Sequence, residues 1–322
     1  MTVKEMTQGQ GIEGIELLVE RRSEATTKGG KPYLNLTLRD KTGSIQAKLW
    51  GYAEPKHGFF RENDVVKVWA EIEEYNGALQ MNVKDVTLGT SPATAFARCT
   101  DFHVEEMWNS LVNIVGTFTE PLTKFVAEEV LLKHASVIEA IKKAPAAKGV
   151  HNAWYGGLLE HTWSMCCIAV PVIEHYRTMY CSRISHEKVL FGVLLHDVGK
   201  IIEYDYSKPS FEMTPVGVLV NHLIITPAWI YEAANRWTGQ KDQAFKMERA
   251  HLMHLVAAHH GQPEWGSSVK PATVEAVLVH QLDMVDSKMM IAIDYATEGK
   301  AGPIAGFSER SYTEGTPFLQ YK

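Results

Sequence analysis

The spacing of apolar residues changes once along this chain, and that change limits what the chain can build. Up to about Leu88 apolar residues recur at every second position, and from Phe102 onward they recur every third or fourth. Successive side chains of a strand point to opposite faces, whereas a helix gathers positions three and four apart onto one face. A strand module followed by a helical module is therefore expected. The 322 residues suffice for two separate cores.

In the first module Leu34, Leu36 and Leu38 alternate with Asn35, Thr37 and Arg39, and Asp40-Lys41-Thr42-Gly43 supplies a turn. Ile45, Ala47 and Leu49 then alternate with Gln46, Lys48 and Trp50. Val66, Val68, Ala70 and Ile72 form a further face. Asn76-Gly77 is a hairpin signal, because both central positions need positive φ. Leu79, Met81 and Val83 are expected to complete the returning strand. With the stretch from Ile15 to Val19 this makes five strands. The segment between Tyr52 and Glu62 interrupts them and has room for a short helix. Five short strands so interrupted predict a small closed barrel of the oligonucleotide-binding kind over residues 1–90.

Residues 91–150 read as a helical connector, with Met107, Leu111, Ile114 and Val115 on one face and Leu122, Phe125, Val126, Val130 and Leu131 on another. Residues 151–298 read as helical throughout, with no strand expected. Residues 299–322 are rich in Gly and Pro and are expected to be extended or loosely packed.

Composition narrows the class. With 45% hydrophobic and 22% charged residues the chain reads as globular. No basic-apolar leader and no long apolar run is seen, so a cytoplasmic location is expected, with no membrane partner. Cys99, Cys166, Cys167 and Cys181 show no CxxC spacing and read as reduced thiols. The net charge of −6 argues against indiscriminate binding to duplex through a basic face. A groove carrying bound cations still suits nucleic acid. Eleven of the fourteen histidines lie between His151 and His280, where the chemistry is expected.

There, an apolar helical run from Val189 to Leu195 leads straight into His196-Asp197-Val198-Gly199-Lys200. Adjacent His and Asp can supply an imidazole nitrogen to one cation and a bridging carboxylate to two, a mixed N/O set that suits Mn²⁺ or Fe²⁺. Such a pair needs further ligands. His161, His222, His259-His260 and His280 to Asp283 all stand on or beside apolar runs, where an unpaired polar group is costly.

In this order the residues resemble the HD-domain metallophosphohydrolases. Gly156-Gly157-Leu158-Leu159-Glu160-His161-Thr162, His196 to Lys200, His259-His260-Gly261 with Glu264-Trp265-Gly266, and His280 to Lys288 resemble the YhaM-type 3′→5′ exoribonucleases more narrowly. Gly30-Lys31-Pro32-Tyr33-Leu34, Asp40 to Gly43 and Lys48-Leu49-Trp50 fit the barrel that precedes the HD domain in that family. The implied architecture is a five-stranded OB-fold β-barrel followed by an all-α HD domain. The implied activity is hydrolysis of single-stranded RNA or DNA from the 3′ end by a hydroxide shared between two metal ions. Manganese is the expected ion, with iron, cobalt, nickel or zinc as alternatives. The resemblance assigns His161, His196, Asp197 and Asp283 to one ion, and His222 with His259 to the other, Asp197 bridging. His260 is the alternative to His259, and Lys200 would lie near the scissile phosphate. Two departures stand out: Asn221 where the family has Gly, and His151-Asn152 where it often has paired histidines.

The expected partner is single-stranded nucleic acid, with self-association left open. Tyr33, Lys48, Trp50, Trp69 and Tyr75 on the barrel are candidates to hold bases, with Glu264 and Trp265 beside the metal residues. Alternation places Trp50 and Trp69 outward, where they would either stack on bases or cover the barrel wall. Lys200 could equally be a solvated cation at a helix end, and Glu264-Trp265-Gly266 a rigid turn. His151, His175, His186, His251 and His254 read as ordinary hydrogen-bonded histidines, and His280 as a helix-face residue, with support of a metal ligand as its alternative. Asp286 would either orient a ligand or serve as a cap or ion-pair partner. Met284, Met289 and Met290 read as core filler. Two other functions fit part of the pattern: an HD-type hydrolase of free nucleotides, and an inactive single-strand-binding adaptor.

Overall fold

A computed structural model of the chain describes residues 1–148, 152–180, 183–209, 211–297, 299, 301–311 and 313–321. It divides into two compact units, residues 1–99 with 206–211 and residues 100–205 with 212–322.

The first unit holds β1 (Gly11–Thr26), β2 (Pro32–Asp40), β3 (Gly43–Trp50), α1 (Glu54–His57), β4 (Val65–Tyr75) and β5 (Ala78–Leu88). The strands close into a barrel in the order β1-β2-β3-β5-β4. β1 is far longer than the stretch read from Ile15 to Val19, because it pairs antiparallel with both β2 and β4. Register shifts at Glu13/Ile15 and Val19/Arg21 bend it from one partner to the other. β3 and β5 close the wall in parallel. The expected inward faces of β2, β3 and β4 are buried, and Met81 and Val83 join them. Leu79 does not: it stands exposed near the tip of the β4–β5 hairpin, two residues beyond the Asn76-Gly77 turn, whose two residues have φ 54° and 78°. The short helix expected between Tyr52 and Glu62 is α1, and Phe60 beyond it is buried with the barrel core.

The second unit runs α2 (Val104–Gly116), α3 (Pro121–Ala127), a π-helical turn (Glu128–Leu132), α4 (Ala135–Lys143), α5 (Gly157–Met179), α6 (His186–Leu195), α7 (Lys200–Glu203), α8 (Pro215–Leu219), α9 (His222–Arg236), α10 (Gln243–Ala257) and α11 (Val274–Thr297). Between α7 and α8 the two-residue strands β6 (Tyr204–Asp205) and β7 (Glu212–Met213) pair, a hairpin too short to leave a periodic signal in a stretch read as wholly helical. The segment read as a connector shares one core with the rest: Met107, Leu111, Val115, Leu122 and Val126 are buried with Leu159, Phe191, Leu252 and Val279. The tail is more ordered than its composition suggested. Ala301 bridges Ser308, Phe307 bridges Leu319, and Ser308 and Ser311 are buried. Met289 is exposed on α11, so it fills no core position.

Cys99, Cys166 and Cys167 are free thiols, and Cys181 lies outside the described residues. Among the described residues no helix is long and apolar enough to cross a membrane.

Candidate active site

Close helix packing brings the polar residues together. Val189 to Leu195 are all buried in α6, and at Gly192 an added Cβ would come within 2.6 Å of Val279 Cγ2 on α11. One turn further along each helix stand His196 and Asp283. After α6 the chain turns through Asp197 to Gly199, whose amide donates to Thr226 Oγ1 of α9 at 3.0 Å. An added Cβ at Gly199 would lie 3.0 Å from His222 Cα, so only glycine lets this turn sit against the start of α9. Gly156, at φ 80°, precedes α5, and Gly157 is pressed against the Asn152 carbonyl; His161 follows within the first turns.

Five imidazoles converge, and each is held by Nδ1. His161 Nδ1 donates to Asp286 Oδ2 and His222 Nδ1 to Glu203 Oε2, both at 2.7 Å. His196 donates to the Val193 carbonyl at 2.8 Å, His259 to that of Val256 at 2.6 Å, and His260 to that of Trp265 at 2.8 Å. A carbonyl can only accept, so Nδ1 carries the hydrogen and Nε2 is left to face the site.

The Nε2 atoms gather around Asp197. Its Oδ2 lies 3.3 Å from His196 Nε2 and 3.9 Å from His161 Nε2. Its Oδ1 lies 3.3 Å from His222 Nε2 and 3.7 Å from His259 Nε2. Asp283 Oδ1 is 3.4 Å from His161 Nε2. Two groups able to hold a cation result, His161-His196-Asp283 and His222-His259-His260, with Asp197 between them. Both histidines of the pair left open in the sequence enter the second group.

The donor set fits divalent cations on the evidence of its unpaired atoms. Asp197 Oδ1, His222 Nε2 and His259 Nε2 are buried without a hydrogen-bond partner among the described residues. Leaving a buried polar group unpaired costs about 1–3 kcal/mol, and all three face one point. In the other group His161 Nε2 and His196 Nε2 stand 3.2 Å apart, a contact that either a shared proton or a bound cation satisfies.

The electrostatics agree. Burial opposes charge on His161, but Asp283 and Asp286 outweigh it and raise its pKa to about 10; negative charge gathers here, and a bound cation would take the place of the second proton. Burial also opposes ionisation of Asp197, yet Lys200, His196 and His222 hold its carboxyl well below the usual range. Asp283 is lowered likewise, with burial outweighed first by the hydrogen bond to His161. Burial pushes His259 well down and His260 down, which keeps both neutral, as ligands must be.

Lys200 is buried, and Nζ donates to Asp197 Oδ2 at 2.6 Å and to the Ala146 carbonyl at 2.7 Å. It is therefore no solvated helix-end residue. Asp286 accepts from His161 through Oδ2 and from Ser164 Oγ through Oδ1. His280 turns from its helix face to bond the His259 carbonyl at 2.7 Å. His251 and His254 bond Thr273 and the Ala272 amide, apart from the centre, and His151 lies outside the described residues. Asn221 caps α9 by accepting from the Leu223 amide at 3.2 Å, a task glycine would leave undone. Glu264 and Trp265 form a 3₁₀ turn with Pro263; both are exposed, and Trp265 is tied to His260 through its carbonyl.

On the barrel, the Tyr33 and Trp50 rings lie 4.7 Å apart, and Lys48 Nζ sits 5.3 Å from the Trp50 ring and 5.2 Å from that of Tyr75. Trp50 and Tyr75 are 46% and 56% exposed, so part of each ring is open to a ligand. Trp69 stands elsewhere and only half-exposed: it packs over Gly14 beside Lys67, which suits covering the wall better than holding a base.

Both modules match known families. The OB-fold nucleic acid binding domain family matches residues 16–88, and the HD domain family matches residues 158–288. A protein named 3′-5′ exoribonuclease YhaM from Geobacillus sp. (strain WCH70) is 30% identical over 92% of this chain and 88% of its own. The chain belongs to the YhaM family. The YhaM protein of Halalkalibacterium halodurans is 29% identical over 94% of this chain and 90% of its own. The second OB-fold domain of replication protein A from Methanococcus maripaludis covers 28% of this chain and 95% of its own, at 20% identity and a TM-score of 0.23.

One residue at this site, Glu203, was not singled out in the sequence. Glu203 lies six residues after Asp197, and the only hint was an acid closing the run Lys200-Ile201-Ile202-Glu203.

Proposed function

We propose that this protein is a metal-dependent 3′→5′ exonuclease of single-stranded nucleic acid, RNA first and DNA as well, with two divalent cations at the HD site. The observation that carries this reading is the division of Asp197, one oxygen toward His161 and His196, the other toward His222 and His259. The relatives named 3′-5′ exoribonuclease support hydrolysis of phosphodiester bonds as the reaction.

His161, His196, Asp197 and Asp283 would hold one cation, and Asp197, His222, His259 and His260 the other. Bound there, such ions lower the pKa of water and offset charge on phosphate oxygens. The chain's own residues do the rest. The Nδ1 hydrogen bonds fix each imidazole before substrate arrives, so no reorientation is needed during reaction. Lys200 keeps Asp197 ionised and adds positive potential at the phosphate. Tyr33, Lys48, Trp50 and Tyr75 would hold unstacked bases on the barrel, an arrangement indifferent to base identity.

A 5′-labelled single-stranded oligoribonucleotide, its DNA counterpart and a nucleoside triphosphate, each incubated with protein and Mn²⁺, test this reading. A ladder of shortened labelled products is expected, abolished by EDTA and by Asp197→Ala, with oligonucleotide binding retained in the variant. Breakdown of the triphosphate alone would point to a nucleotide hydrolase instead.

A further inference from the structure

We propose that Glu203 and Asp286 are positioning residues, one for each cation position, so that each position can be weakened separately. The inference rests on the two-cation reading above.

Of the five imidazoles, three are steadied by backbone carbonyls, which are built into the fold. Only His222 and His161 are steadied by carboxylates, and these two fall in different groups. Glu203 is buried, and its Oε2 accepts from both the Nδ1 and the backbone amide of His222, each at 2.7 Å. His222 is the first residue of α9, so the carboxylate also lies at the positive end of a helix. The Glu203 backbone is itself fixed: its carbonyl accepts from the Thr214 amide at 2.9 Å, and Gly217 packs so closely that an added Cβ would lie 2.3 Å from that oxygen. Asp286 plays the matching part for His161 and is itself held by Ser164.

The chemistry follows from the acceptor. An anion bonded to Nδ1–H fixes the tautomer that leaves the Nε2 lone pair facing the cation, and makes that nitrogen more basic. Without Glu203, the His222 ring can rotate or place its proton on Nε2. His259 and His260 keep their carbonyl partners, so only part of one position is lost. Among the described residues the hydrogen bonds of the Glu203 carboxylate go to His222, outside the His161-His196-Asp283 group.

Mn²⁺ binding to the full-length protein, followed by calorimetry and by electron paramagnetic resonance of the free ion, reads this without any substrate. Wild type is expected to take up two ions. Glu203→Gln should weaken one binding step by about 10–100-fold, leave the other unchanged, and add nothing when placed on His222→Ala. Asp286→Asn should weaken the opposite step. Glu203→Asp, which keeps the charge but retracts it, should show an intermediate loss and guards against misfolding of the Gln variant. Two wild-type steps in Glu203→Gln and Glu203→Asp, or equal weakening of both steps by Glu203→Gln and Asp286→Asn, would overturn the positioning role alone. A wild-type protein that binds no Mn²⁺ would overturn it together with the two-cation reading.

Discussion

Lys200 Nζ lies 2.6 Å from Asp197 Oδ2, and both groups are buried. The amine thus does two things at once: it holds Asp197 ionised against burial, and it places a fixed positive charge beside the atoms that would meet a phosphate. Its second bond, to the Ala146 carbonyl, ties the segment before α5 to the same point.

Lys200→Met keeps the alkyl stem and removes the charge. Loss of one positioned cation in such a site typically costs about 10²–10³ in kcat, and loss of one partner from a buried pair about 3–5 kcal/mol of stability. Both kcat and Tm are therefore expected to fall. Wild-type turnover in this variant would remove Lys200 from the reaction.

Trp50→Ala should weaken binding of a single-stranded oligonucleotide by about 1–3 kcal/mol and leave Tm almost unchanged, since the ring is half in solvent. Trp69→Ala should do the reverse, because that ring packs over Gly14. Fluorescence anisotropy with a labelled strand, together with thermal melts, separates the two.

Gly192→Ala adds one methyl group where Val279 leaves no space. Overpacking of this kind typically costs about 1–3 kcal/mol. Because His196 and Asp283 follow one turn later on the same two helices, Mn²⁺ affinity should fall along with Tm. An unchanged affinity would show that the α6–α11 distance does not set the site.

Glu16 offers a pH test on the barrel. Its carboxylate accepts from the Thr90 and Ser91 amides at 2.9 and 3.2 Å. The hydrogen bonds from Ser91 and Thr90 lower its pKa from 4.5 to about 2. A lowered folded value means the stabilisation is fully present above pH 4.5 and is lost as the pH falls through about 2. Amide exchange at Thr90 and Ser91 should therefore lose protection across that window, and Glu16→Gln should lack this pH dependence.

Much of this was legible in the residues because side-chain direction along one element is a local property. The alternation from Leu34 to Leu49, the Asn76-Gly77 turn and the apolar run into His196-Asp197 each follow from φ and ψ preferences over a few positions, and the barrel and the helices follow from them. Where alternation ran into a hairpin end it misled, as at Leu79: beside the turn a side chain on the inward face has no opposite wall to cover it, and that depends on the partner strand.

The chain alone therefore determined the two modules and the kind of atoms available for chemistry. Tertiary packing decided which of those atoms meet. His161 and Asp286 stand 125 positions apart and bond at 2.7 Å because α5 and α11 pack side by side. Glu203 stands behind His222 with its backbone held where Gly217 lets α8 pack on the end of α7. Contacts of that range depend on how apolar faces pack in three dimensions, which no single stretch of sequence contains.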